Sequence, residues 1–191
     1  MINKTKKRGF TLIETLVAVF ILSTAIAGPL TIAAKGLNAA LVAKDQATAF
    51  YLAQDALEYM RFARDTNRLQ GGDWLSGVGG GASVINLSPC VVPTGGANGC
   101  MVDTTGNNPN GTPTICTTST CAVFQYDNPN KRFTYSAPSG NNIVTTIYFR
   151  KIVLTQITAY EYKLTVTVTW ADLAGVTHAP VTLQENLLNW Q

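Results

Sequence analysis

One carboxylate sits in the oily opening of this chain. The first residues include "KKRGFTLIETLVAVFILS", and Glu14 lies four residues inside the apolar stretch that begins at Phe10. A carboxylate near the middle of a hydrocarbon core costs about 2.5–3.5 kcal/mol on insertion scales, and less near the interface. Three readings of the segment compete. A secretory signal peptide accounts for a basic start and an apolar run, but this run is long for one and holds an ionisable group. An ordinary single-span anchor accounts for the length and leaves Glu14 unexplained. A leader cut between Gly9 and Phe10, ahead of the apolar run, accounts for both. That cut frees an α-ammonium on Phe10, a suitable partner for the Glu14 carboxylate of a neighbouring copy or homologue. In a low-dielectric setting, removing one member of such a pair leaves the other uncompensated.

The remaining candidates for chemistry lie further along. Cys90, Cys100, Cys116 and Cys121 all come after the apolar segment, inside a tract rich in Gly, Pro, Asn and Thr. An even number of cysteines on an exported side reads as two disulfides, for which four cysteines allow three connectivities. The short loops favour Cys90–Cys100 and Cys116–Cys121. Zinc fits less well, because there is no C-x-x-C and the one histidine, His178, is remote. "LQGGDWLSGVGGGASV" has no subsequent GK[ST], so it reads as a flexible connection between helix and sheet and not as a phosphate cradle. "DTTGNNPNG" reads as turn chemistry in preference to a calcium loop. His178, beside a turn and a proline, reads as solvent-exposed. No nucleophile elbow or acid pair stands out, so a non-enzymatic protein with no catalytic residue, cofactor or metal is expected.

The opening motif resembles the class III signal of type IV pilins and type II secretion pseudopilins: a short basic leader ending in Gly, then Phe-Thr-Leu-Ile-Glu, then a hydrophobic helix. The resemblance implies that a prepilin peptidase cuts after Gly9, that the Phe10 amine is N-methylated and that Glu14 guides subunit assembly. It also implies other pilin or pseudopilin subunits, membrane lipid and a pilus or secretion assembly platform as partners. The implied location is the cytoplasmic membrane, crossed once with the amino terminus inside and the head outside, and then the pilus or cell surface.

Charge agrees with this placement. The chain has a formal net charge of +3, but Lys4, Lys6, Lys7 and Arg8 all precede Phe10, and the chain from Phe10 onward carries slightly more acid than base. Basic residues flanking a membrane helix tend to stay in the cytoplasm. The rest of the chain has no basic stripe with interleaved aromatics, so nucleic acid is not expected as a partner.

The elements that must hold these residues are set by periodicity. Phe10 to Ala34 is about 25 residues with one charge, enough to cross about 30 Å of hydrocarbon as a helix. Ala43, Ala47, Phe50, Ala53, Leu57 and Met60 continue a helical stripe, so one helix from Phe10 to about Arg64 is expected, packed under a head. Gly28-Pro29 interrupts it, because proline removes a hydrogen bond and kinks or locally melts a helix, and these two residues are the candidate hinge. From Ala122 the chain reads as strands. "AVFQYD" and "KRFTYS" flank "NPN" as a hairpin. "IVTTIYFRKIVLTQI" is a long strand, bulged where alternation slips at Arg150-Lys151. In "YEYKLTVTVTW", Tyr162, Leu164, Val166, Val168 and Trp170 face one way. "DLAGVTHA" turns the chain and "PVTLQENLLNW" returns it, completing an antiparallel meander over the helix stripe.

The expected organisation is therefore a leader at 1–9, a transmembrane and assembly helix at 10–34, and an amphipathic second half at 35–66. A Cys-containing loop region at 67–121 and an antiparallel sheet at 122–191 complete it. The fold class is α+β and pilin-like. The carboxy-terminal sheet resembles V-type minor pilins and I-type minor pseudopilins. The expected function is that of a minor pilin in type IV pilus assembly, initiation or modification. A minor pseudopilin of type II secretion and a membrane-anchored adhesin are the alternatives.

Overall fold

The computed structural model describes residues 9–92, 98–105, 111–117, 121–135, 142–171 and 175–189. The basic leader residues, most of "GNNPNG" and part of the "DLAGVTHA" turn lie outside them. Two compact units are present, residues 1–45 and 46–191, with helix α1 (Leu12–Leu69) entering both.

In the first unit, every described residue from Gly9 to Lys44 is exposed. The hydroxyls in this apolar stretch bond back to their own helix. Thr15 Oγ1 donates to the Leu12 carbonyl at 2.8 Å and Ser23 Oγ to the Val19 carbonyl at 2.8 Å, while Thr24 Oγ1 reaches the Phe20 and Ile21 carbonyls. This suits a hydrocarbon setting, where no water replaces a missing partner. The expected interruption at Gly28-Pro29 is not a break: α1 runs through both residues. Proline there removes one donor, whose partner would be the Ala25 carbonyl, and the helix bridges that single gap. Just beyond it, Thr31 Oγ1 donates to the carbonyls of Ala27 and Gly28.

In the second unit, α1 buries Ala49, Leu52, Ala53, Ala56, Leu57, Met60, Ala63 and Asn67. Ala53, Leu57 and Met60 belong to the stripe expected from sequence, but Ala43 and Ala47 are exposed and Phe50 is 45% exposed. The buried row starts at Ala49, about 100° round the helix from Phe50. It mixes alanines with Leu52, Leu57, Met60 and Asn67, so the bulky Phe50 is no guide to the buried face.

The Gly-rich stretch after α1 touches the core at Gly72, Trp74 and Gly77, while residues 69–71, 78–79 and 81–83 are exposed. Asn67 is fully buried at the end of the helix. Its Nδ2 donates to the carbonyls of Trp74 and Ile85 at 3.2 and 2.7 Å, and its Oδ1 accepts from the Ile85 N–H at 2.7 Å. One side chain thus satisfies three backbone groups that no strand pairs. Trp74, Ile85 and Leu87 enter the core, with Trp74 edge-on to Tyr162 at 5.6 Å. The glycines allow this tight path: Gly77 has φ +70, and a Cβ on it would meet the Val84 side chain at 2.7 Å.

Among the described residues, seven antiparallel strands form the sheet: β1 (Cys100–Met101), β2 (Thr114–Ile115), β3 (Val123–Asp127), β4 (Arg132–Thr134), β5 (Ile143–Thr158), β6 (Glu161–Trp170) and β7 (Val181–Leu188). The arrangement is not a simple meander. β5 is the axis, with β6 and then β7 on one side. On its other side the β3–β4 hairpin pairs with its first half, and β1, carrying β2, pairs near its middle at Ile152. β4 precedes β5 in the chain but lies outside β3, because the hairpin turn leaves β3 as the strand facing β5. β1 and β2 fall in the tract read as loop; strands of two residues are too short to leave a period-2 signal.

The first half of the β5–β6 pairing explains the slipped alternation. Tyr148↔Trp170, Arg150↔Val168, Ile152↔Val166 and Leu154↔Leu164 are in continuous register, and all eight residues are buried. No bulge exists at Arg150-Lys151. The pattern looks broken because an arginine occupies a core position. The register shifts lie elsewhere, between Gln156 and Thr158 and between Val123 and Gln125.

Cys90 is bonded to Cys100 and Cys116 to Cys121, the pairing that the short loops favour. Cys90 and Cys100 are fully buried, tying the 3₁₀ turn Ser88–Cys90 to the start of β1. Native protein is therefore expected to gain four hydrogens in intact mass on full reduction. Four alkylatable thiols before reduction would contradict both bridges.

Candidate functional site

The residues singled out at the amino terminus share one short segment. Gly9 and Phe10 are exposed and non-helical, Thr11 immediately precedes α1, and Glu14 stands in its first turn. The Glu14 N–H donates to the Thr11 carbonyl at 3.1 Å and to Thr11 Oγ1 at 3.4 Å. Thr11 is thus the N-cap and Glu14 is the third helical residue, the T-x-x-E spacing of a capping box. A carboxylate here also faces the positive end of the helix dipole. Glu14 therefore has a local use besides the docking role expected from sequence. Its carboxylate remains exposed, as do Gly28 and Pro29, about four turns on.

In the head, the decisive residues are ones that the sequence did not single out. Arg150 is fully buried. Its Nη1 donates to the Leu52 carbonyl and to Asp55 Oδ2, both at 2.8 Å, and its Nη2 to the Val102 carbonyl at 2.6 Å. The guanidinium also lies 4.8 Å from the Phe124 ring centroid, within cation–π range. One side chain on the central strand thus joins α1, the segment after β1 and strand β3. The signal for it is present in the sequence: an arginine at an inward position of an alternating strand.

Asp103 organises the adjoining loop. Oδ1 accepts from the Thr105 N–H and hydroxyl; Oδ2 accepts from Thr134 Oγ1 at 2.7 Å and from the Tyr135 N–H at 3.0 Å. Burial opposes its ionisation, but these hydrogen bonds outweigh burial and hold its pKa below the usual carboxylate range. Its oxygens serve the turn at Thr104-Thr105 and the end of β4; the middle of "DTTGNNPNG" lies outside the described residues. Burial alone pushes the Tyr59 phenol up to about 12, and its hydroxyl donates to the Gly111 carbonyl. An open groove of about 570 Å³ runs beside α1, walled by Tyr51, Leu52, Asp55, Thr104, Arg132 and Phe133. Thr104 donates to Asp55 across it and Arg132 donates to the Thr105 carbonyl, so these wall groups latch the loop to the helix and to β4.

His178 is not the exposed residue expected. It is half-buried, stacks on Trp170 at 5.9 Å with rings 17° apart, and its backbone N–H donates to the Trp170 carbonyl. The Ala171↔Thr177 bridge brings the residues before His178 back beside the end of β6.

Residues 4–28 match the family model of the prokaryotic N-terminal methylation motif. No curated protein and no solved structure matches the chain. The segment is similar to the class III signal of type IV pilins and pseudopilins, the kind of sequence that a prepilin peptidase processes. A long amino-terminal helix on an antiparallel sheet is the pilin-like architecture, and the apolar first part of α1 fits a membrane-anchored subunit.

Proposed function

We propose that this chain is a minor pilin, cut between Gly9 and Phe10, N-methylated at Phe10 and built into a type IV pilus through its amino-terminal helix. The observation that carries this reading is the class III signal heading an exposed apolar helix, with a disulfide-bonded head further along the same chain. In the membrane the apolar helix spans once, with the basic leader inside and the head outside. Gly28 and Pro29 serve as the hinge on assembly: the helix already lacks one hydrogen bond there, and Gly28 has no neighbouring atom within 4 Å of a notional Cβ. In the filament, the Phe10 ammonium of one subunit pairs with Glu14 of another. The head contributes binding or tip structure and no catalysis.

The amino terminus tests the reading directly. Mass spectrometry of the mature protein from membrane and sheared-pilus fractions is expected to show a chain beginning at Phe10 and heavier by one methyl group. A mature start near Ala34 or Ala39 would mean an ordinary signal peptide and would remove the filament assignment.

A further inference from the structure

Thr11 stands beside the bond that the proposed processing breaks. Gly9 and Phe10 are exposed and outside the helix, and α1 begins at Leu12. The boundary falls there because Thr11 caps it: its carbonyl accepts from the N–H groups of Glu14 and Thr15 at 3.1 and 3.3 Å, and its hydroxyl accepts from Glu14 N–H at 3.4 Å. An N-cap residue has non-helical backbone angles by definition, so the residues before it are held out of the helix. Immediately upstream, the next residue with appreciable N-cap preference is Gly9, since Phe10 has none. Without the threonine hydroxyl, the helix start can move to Gly9, which places the Gly9–Phe10 peptide in the first helical turn.

We infer that Thr11 is a positioning residue for cleavage: by capping α1 it keeps the Gly9–Phe10 bond outside the helix, exposed and open to a peptidase. This rests on the proposed processing between Gly9 and Phe10. Loss of the cap acts through the fraction of substrate in the cleavable conformation, so it weakens apparent binding and leaves the chemical step alone. An N-cap is worth about 1 kcal/mol, which limits the effect to about fivefold at about 1.4 kcal/mol per tenfold.

The test uses full-length chain in detergent micelles with purified prepilin peptidase. Thr11→Val, nearly isosteric but without a hydroxyl, is expected to raise KM by up to about fivefold with kcat unchanged. Thr11→Ser and Thr11→Asn, which restore a capping oxygen in different shapes, are expected to match the wild type. If Thr11→Val is cut with wild-type KM, or lowers kcat at unchanged KM, capping is not the role and the inference falls while the processing stands. If Ser and Asn behave like Val, the peptidase reads threonine itself and the inference also falls. If the wild type is not cut at Gly9–Phe10, the processing reading fails instead.

Discussion

Glu14→Gln is expected to leave membrane insertion and cleavage intact and to lower incorporation into filaments by two orders of magnitude or more. The substitution separates two uses of one side chain. Locally, Glu14 is the third residue of α1, behind the Thr11 cap. Gln fills that place in a capping box as Glu does and has a similar helix propensity, so the helix start should survive the change. Losing the charge also eases insertion. What Gln cannot do is neutralise the α-ammonium of another subunit. Leaving that cation desolvated and unpaired costs roughly 3–5 kcal/mol, and about 1.4 kcal/mol corresponds to tenfold. The readout compares processed subunit in the membrane with subunit in sheared filaments. Normal incorporation would end the docking role and leave the capping box as the use of Glu14.

The second large effect is expected at Arg150. Arg150→Met keeps most of the hydrocarbon but strips the hydrogen bond from the Val102 carbonyl, a buried acceptor outside any strand, and the extra bond from the Leu52 carbonyl, which keeps its partner within α1. An orphaned buried acceptor costs about 1–3 kcal/mol, so a loss of about that size in stability is expected. Asp55→Asn should cost less, because Asn keeps an oxygen acceptor for Arg150 Nη1 and the Asp55 side chain is 47% exposed, so its charge is already partly screened. Urea unfolding of the full chain in detergent, monitored through the buried tryptophans Trp74 and Trp170, measures both. Equal losses would mean that the ion pair, and not the two carbonyl contacts, anchors the arginine.

The amino-terminal site is legible in the sequence because it is local. A basic run, a glycine, Phe-Thr-Leu-Ile-Glu and an apolar helix are contiguous, and chemistry that depends on neighbours along the chain needs no fold to assemble it. Strand identity in β3, β5, β6 and β7 is legible for a similar reason, since one packed face imposes a period of two. Cys90–Cys100 and Cys116–Cys121 also join near neighbours. The capping-box spacing of Thr11 and Glu14 is just as local, but a search for the partner of a membrane carboxylate passes over it.

Tertiary structure decided whatever depends on residues far apart in the chain. Arg150 reaches Leu52 and Val102, 98 and 48 positions away, and from sequence alone its inward placement looks like a bulge. Which face of α1 is buried was settled by where the head packs on it, and that is the row from Ala49 to Asn67, with Phe50 off it. The Gly-rich connection is fastened at Trp74 and just beyond its end at Ile85 because Asn67 finds both in space, while glycine content along the chain suggests only freedom. The sequence neighbours of His178 point to solvent, but its environment is the Trp170 ring. Periodicity reports which way a side chain faces along its own element. The partner it meets there is fixed only when separate elements close on one another, because burial and hydrogen-bond satisfaction are properties of the packed core.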